Sequence, residues 1–379
     1  MRDAFVAEVG QKSLRDTNPD SLQWLSVYIK VVSTCSPQIF GCKPYRALQT
    51  PCQPLHLSRM YIKHSLWEVP YNSTFKFIYF IFSNMGLPSF IFRQLFVHPP
   101  QLPTTLGLKD QTVLITGSNT GIGLEAARQC VRLDAAILIL AVRNVSKGEA
   151  AKADILKTNP DSTTRVEVWS LDQESVKSVT AFGERVQGLS RLDIAVLNAA
   201  IFKFDWSVAS ETNFESSLQV NHLSTALLTL YLIPVLRKTG KYLNKPTRLT
   251  TTSSEVALWT PFKEQKAEKI LDHLNTQQHF GPDHLDRYSV TKLLNMFWTR
   301  ELASRASGNE VVMNLVNPGT VDTGLHRDGH QTFSGKFLQR FDRLVGRTPE
   351  EGGRLVMDGA IVKGEDTHGK YLSEAKVVE

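Results

Sequence analysis

The sequence predicts an α/β fold, a parallel sheet covered by helices on both faces, over residues 106–379, and three observations lead there. Short runs rich in Val, Ile and Leu recur from residue 112 onward, nearly continuous in their apolar character. Strands buried on both faces read this way, whereas a half-exposed strand would alternate. Stretches of helical spacing separate these runs. The first run also enters a glycine-spaced loop that opens a helical stretch.

The strand candidates, in order, are TVLIT (112–116), AILILAV (136–142), RVEVWSL (165–171), LDIAVLN (192–198), TRLTTTS (247–253) and EVVMNLV (310–316). The first continues into TGSNTGIG, which sets Gly117, Gly121 and Gly123 just before LEAARQCVRL. Glycine suits these positions because the backbone must turn sharply and admit a pyrophosphate to the N–H groups at the helix start, where the dipole favours an anion. The expected fold is therefore a doubly wound parallel sheet, Rossmann-type, forming a single catalytic domain with an irregular N-terminal extension. The second strand ends in AVRN, 26 residues after Gly117. NAD-specific folds place a carboxylate near this point to bind the ribose 2′-hydroxyl. Here Arg143 stands, with Lys147 four residues on, and a guanidinium suits a 2′-phosphate, so NADP(H) is the expected cofactor.

In RYSVTKLLNMF (287–297), Tyr288 and Lys292 are four positions apart in a stretch whose apolar residues recur at helical spacing. They share a helix face, and a neighbouring ammonium favours a phenolate.

Composition divides the chain. Residues 1–105 hold ten of the seventeen prolines but three of the 23 glycines, with ten Lys/Arg against five Asp/Glu; the remainder carries 33 against 32. The net charge of +6 thus belongs mostly to the leader. A near-neutral body lacks the clustered basic face that a nucleic-acid binder needs, so no nucleic acid is expected. The expected divisions are an extension at 1–84, an apolar helix and linker at 85–105, and a cofactor-binding catalytic domain at 106–379. Cys35, Cys42, Cys52 and Cys130 form no C-x-x-C pair, which supports neither a metal site nor a disulfide framework. Sequons stand at Asn72 and Asn144, the second where a cofactor phosphate is expected. Cytoplasmic residence follows as the expectation. The apolar run at 75–92 is uncharged for sixteen residues from Phe77, against about 20 needed to span a bilayer, and reads as a buried or interfacial segment. Contact with the cytosolic face of a membrane through residues 75–97 stays open, as does a homo-oligomer.

Further motifs, LNAAI (197–201), VNH (220–222), TSSEVA (252–257) and NPGTVDT (317–323), follow in order. With TGSNTGIG and YSVTK, they make residues 90–373 resemble the short-chain dehydrogenase/reductase family. LFVHPP, SSEVALW, RELA and HGKYLSEAKV are similar to fungal members near its retinol dehydrogenase-like and WW-domain oxidoreductase-like branches.

The resemblance implies hydride transfer between a nicotinamide and a small-molecule carbonyl or alcohol. Tyr288 would be the general acid or base; Lys292 would lower its pKa and bind the nicotinamide ribose. Ser254, with Ser253 as the alternative, would hold the carbonyl oxygen, and Asn221 would anchor a water linking Lys292 to solvent. Asp172 would meet the adenine and Asn198 would brace the sheet. Pro318, Gly319 and Thr323 would shape the loop over the nicotinamide, and Ser118, Asn119, Ile122, Ala199 and Val321 complete the implied cofactor-binding set. Ser254 and Tyr288 are 34 positions apart, which is long for the family. The segment FKEQKAEKILDHLNTQQHFGPDHL (262–285) fills them with an amphipathic pattern, expected to wall the substrate pocket. The implied substrate is a ketone or secondary alcohol of a lipophilic metabolite, in secondary metabolism. Two other readings stay open: an extended-type epimerase or dehydratase, whose glycines are usually spaced two and two, and a non-catalytic NADP(H) sensor, which tends to lose the Tyr or Lys.

Overall fold

The computed structural model describes residues 86–281, 284–329 and 331–378. The expected extension at 1–84 and the apolar run up to residue 85 lie outside the described residues.

The chain enters through α1 (Gly86–Phe96). It then alternates β1 (Thr112–Thr116), α2 (Gly121–Arg132), β2 (Ile137–Val142), α3 (Val145–Thr158), β3 (Arg165–Ser170), α4 (Val176–Gln187) and β4 (Ile194–Leu197). After it come α5 (Ser224–Leu243), β5 (Thr247–Thr252), α6 (His284–Arg305), β6 (Val311–Asn317), α7 (Phe333–Val345), α8 (Pro349–Met357) and the short strands β7 (Tyr371–Ser373) and β8 (Lys376–Val378). The strands lie in the order β3-β2-β1-β4-β5-β6-β7-β8. All pairings are parallel except β7 with β8. This is the doubly wound sheet, and the order reverses between β1 and β4, where a ligand crevice opens beyond the strand C-termini.

Burial explains the composition of the strands. Every residue of β1, β4 and β6 is buried. Side chains of β1 alternate between two cores: Leu114 joins α4, α5 and α6 on one face, and Val113 and Ile115 join α2 and α8 on the other. The six anticipated strands agree with the structure to within two residues at each end.

The helical run Ser216–Leu243 is long and apolar enough to cross a membrane, but 89% of its most apolar window is buried inside the molecule. It is a core helix of the sheet's covering layer.

The segment at 262–285 departs from expectation. Its amphipathic pattern breaks into a 3₁₀ turn (Lys263–Lys266), a single helical turn (Ile270–Leu274) and a second 3₁₀ turn (Gln277–His279). Ile270 and Leu274 are drawn into the core beside α5 and α6. Asn275 Oδ1 accepts from the Glu215 N–H at 2.8 Å. Of its described residues only Leu285 reaches the cleft, so this segment supplies a single described side chain to the pocket wall. Its apolar side chains are spent on the core.

Candidate active site

A cleft of about 1070 Å³ opens beyond the C-terminal ends of the strands. At its centre the chain leaves β1 through Gly117, whose φ of +66° belongs to the left-handed region. A Cβ there would lie 2.9 Å from the Ala199 Cα. Gly123 is tighter still: a Cβ would fall 2.5 Å from the Gly117 carbonyl oxygen, so only glycine lets α2 approach the turn. No side chain caps the start of α2, and its first turn has no acidic residue. Its first N–H groups therefore have no intrahelical acceptor, and the dipole adds partial positive charge. The Ser118 hydroxyl is buried without a partner.

Asn198 joins three strands at this point. Its N–H donates to Thr116 Oγ1 at 3.0 Å, its Nδ2 to the Thr116 carbonyl at 3.2 Å, and its Oδ1 accepts from Thr252 Oγ1 at 3.3 Å. Gly117, Asn119, Gly121, Ile122, Arg143, Lys147, Asp172, Asn198 and Ala199 all line the cleft. Asp172 is held locally, its carboxylate accepting from the Glu174 N–H at 3.0 Å. Asn144 also lines the cleft and caps α3, accepting from the Lys147 N–H at 2.9 Å. Among the described residues, Arg143 and Lys147 have no ion-pair partner.

Tyr288, Lys292, Ser253 and Ser254 line the same cleft, as do Pro318, Gly319, Val321 and Thr323. Both Tyr288 and Lys292 are buried on α6. The Lys292 ammonium donates to the Thr252 carbonyl at 2.9 Å and lies 5.6 Å from the Tyr288 ring centroid. Burial depresses its pKa to about 8. Burial also raises the Tyr288 phenol above its ordinary value, and the Asp342 carboxylate adds to the rise. The expectation that Lys292 holds the phenol down does not describe this structure, because desolvation outweighs an ammonium aimed elsewhere. Ser254 precedes the turn Glu255–Leu258 without capping it, and the Ser253 hydroxyl is buried without a partner. Gly319, at φ +77°, lies under Gln94 and Arg347, where a Cβ would meet the Gln94 Oε1 at 2.2 Å.

Three anticipated residues do not reach the cleft: Ser118, Gly123 and Asn221. Ser118 and Gly123 lie beneath the turn. Asn221 sits in the widened π turn Gln219–Leu223 that leads into α5. Its side chain is taken by Ile201, accepting from the N–H at 2.8 Å and donating to the carbonyl at 2.9 Å, and its own carbonyl accepts from Asn295 Nδ2 at 2.7 Å. In these positions it ties α5 and α6 to the loop after β4.

The pocket walls were not anticipated. Phe90 and Ile91 of α1, and Phe337, Leu338 and Phe341 of α7, line the cleft. Phe202, Phe204 and Tyr288 form a cluster to which Leu285, Leu325 and Leu338 add. The apolar spacing in FSGKFLQRF carried the signal for α7. Among the described residues, no group of three His, Cys, Asp or Glu is placed to hold a metal.

The sequence profile described as short chain dehydrogenase matches residues 111–257. A short chain dehydrogenase from Alternaria solani, sol3, is 44% identical over 289 residues, covering 76% of this chain and 98% of the relative. The chain belongs to the short-chain dehydrogenase/reductase family. A second member, fogG from Aspergillus ruber, is 38% identical and covers 77% of this chain and 84% of its own length. The fold of the family is met again in a 3-oxoacyl (acyl-carrier-protein) reductase from Agrobacterium tumefaciens, solved with NADP bound. That structure aligns with a TM-score of 0.52 at 22% identity, covering 72% of this chain and 96% of its own. As a member of this oxidoreductase family, the chain is a nicotinamide-cofactor enzyme with a small-molecule substrate, built on the Rossmann sheet described above.

Proposed function

We propose that the protein is an NADP(H)-dependent oxidoreductase acting on a ketone or aldehyde, or on the corresponding alcohol, of a lipophilic metabolite in secondary metabolism. The observation that carries this reading is that Tyr288, Lys292 and Ser254 line one cleft together with the uncapped start of α2. The fit to a dinucleotide rests on this chain's own residues. The free N–H groups at the start of α2 beside the glycine turn suit a pyrophosphate, and Arg143 and Lys147, without ion-pair partners among the described residues, suit a ribose 2′-phosphate.

A nicotinamide held there supplies or accepts the hydride. Tyr288 gives its proton to the carbonyl oxygen in reduction and takes it back from the alcohol in oxidation. Ser254 donates a hydrogen bond to the same oxygen and fixes it at reacting distance. Lys292, anchored on the Thr252 carbonyl, provides positive charge beside the phenol as the proton leaves. The apolar side chains of α1 and α7 exclude water, which suits a lipophilic substrate.

The direct test is a panel of aromatic and alicyclic ketones and aldehydes offered with NADPH or NADH, read by loss of the reduced nucleotide's absorbance. Turnover with NADPH, abolished in a Tyr288→Phe protein that still binds the nucleotide, is the expected result. Failure of the wild-type chain to bind either nucleotide would sink the proposal.

A further inference from the structure

Asp342 lies on α7 with 5% of its surface exposed, and its Oδ2 is 2.7 Å from Nδ1 of His326, in the turn ahead of that helix. Carboxylates are seldom buried unless they are held by a partner. Both residues line the cleft, and neither has a part in the chemistry above. The His326 ring meets Phe202 edge-on at 4.8 Å, and the Phe202 ring lies 5.4 Å from Tyr288. One aromatic side chain therefore touches both the phenol and the imidazole.

The pairing fixes the chemistry that His326 offers. A carboxylate only accepts, so a proton belongs on Nδ1, and in the neutral tautomer Nε2 is then the acceptor. Among the described residues, Nε2 has no hydrogen-bond partner. Leu325, Phe337, Leu338 and Phe341 line the same cleft and give it apolar and aromatic walls. Gln339 Nε2 donates to the His326 carbonyl at 2.9 Å, which pins the backbone but leaves the ring nitrogen free.

We infer that His326, oriented by Asp342, is a substrate-binding residue that accepts a hydrogen bond from a hydroxyl group on an aromatic carbonyl substrate. The inference rests on the reading of the cleft as a carbonyl-reducing site. It narrows the substrate class to hydroxyaryl ketones and aldehydes whose hydroxyl can reach His326 while the carbonyl lies at Tyr288. The apolar faces would be held by the aromatic walls, and the imidazole acceptor would set which end enters first.

The test uses the full-length chain carrying Tyr288→Phe, so that binding is read without turnover, with and without NADP⁺. Calorimetry measures hydroxyacetylnaphthalene, methoxyacetylnaphthalene and acetylnaphthalene. The hydroxyl compound should bind about 3–10-fold more tightly than the other two, which should match each other, because a methoxy group offers no proton. Adding His326→Phe, which keeps an aromatic ring against Phe202, should bring the ratio to about one. Adding His326→Gln instead should restore part of it through the amide oxygen, a recovery that a merely structural role would not give. The inference is overturned by a ratio near one in the parent protein, by a preference that survives His326→Phe, or by no measurable binding of any of the three. A hydroxyl preference in a protein that transfers no hydride would leave this inference standing and remove the proposed activity.

Discussion

Tyr288 and Lys292 occupy one face of α6, yet the lysine donates to the Thr252 carbonyl and not to the phenol. The pair sets a buried phenol beside a buried ammonium whose pKa is depressed to about 8. Burial and the Asp342 carboxylate raise the phenol above its ordinary value, so it holds its proton across neutral pH.

Lys292 should make the nucleotide-free protein less stable at neutral pH than in mild alkali. Its pKa falls from 10.5 to about 8 on folding, so between those values the unfolded chain binds the extra proton and stability rises with pH. The full span corresponds to about 3 kcal/mol. The raised Tyr288 pKa acts oppositely, but only once the pH passes the ordinary phenol value near 10. Urea unfolding should show stability increasing from pH 7 to pH 9.5, and Lys292→Met should flatten that rise while stabilising the protein at pH 7. A slope unaltered by the substitution would mean that Lys292 is solvated in solution.

Replacing Tyr288 by Phe removes the proton donor but keeps the ring that packs against Phe202. Turnover should fall by at least the ~10²–10⁴ typical of a lost general acid, with NADPH affinity nearly unchanged. Fluorescence titration and steady-state rates separate the two quantities. Wild-type turnover in the variant would take Tyr288 out of the mechanism.

Arg143→Asp should reverse the nucleotide preference. The substitution removes a charge-assisted hydrogen-bond donor worth about 1.5–3 kcal/mol, or roughly 10–100-fold in affinity, and sets a carboxylate toward the 2′-phosphate. The Kd values for NADPH and NADH in both proteins decide it. Equal NADPH affinity would reduce Arg143 to a surface residue.

Gly123→Ala should weaken both stability and nucleotide binding. Its Cβ would meet the Gly117 carbonyl at 2.5 Å and the Asn198 Nδ2 at 2.6 Å, and neither group can give way without moving the turn or the sheet brace. Overpacking of this kind costs about 1–3 kcal/mol. Thermal unfolding with and without NADPH measures both effects, and an unchanged melting temperature would mean that α2 shifts freely.

Two truncations should behave differently. A chain starting at Met85 should bind NADPH and turn over soluble carbonyls like the full-length protein. One starting at residue 106 should be unstable, because it loses α1 and its bonds. Arg354 donates to the Pro99 carbonyl at 3.1 Å, Gln94 to the Thr320 carbonyl at 2.8 Å, and Arg347 to the Val97 carbonyl at 3.1 Å. Nucleotide affinity per mole of folded protein is the readout. Equal behaviour of the two truncations would place α1 outside the folded unit.

What the sequence revealed follows from the range of the physics involved. The six main strands and the glycine turn were legible because burial on both faces and a required backbone turn act on contiguous residues. The strands β7 and β8 have three residues each, too few for any period, and turn through Glu374 and Ala375 at positive φ. The spacing of Tyr288 and Lys292 located the face they share, but it could not tell that the lysine would reach Thr252 on β5. Nor could it tell that the carboxylate beside the phenol would come from Asp342, on a helix far along the chain. The insertion at 262–285 had a helical pattern in the sequence, but core burial of Ile270 and Leu274 decided its path.

The bonds of α1 join regions far apart in the chain. Arg93 pairs at 2.5 Å with Glu255, the neighbour of Ser254, while Gln94 and Arg347 bind the α1 region to the loop at 318–320. The stretch preceding Gly86 therefore joins the molecule at a wall of the site and not at a distant surface. A displacement of α1 would reach Glu255 and the 318–320 loop directly, through side chains and not through the sheet.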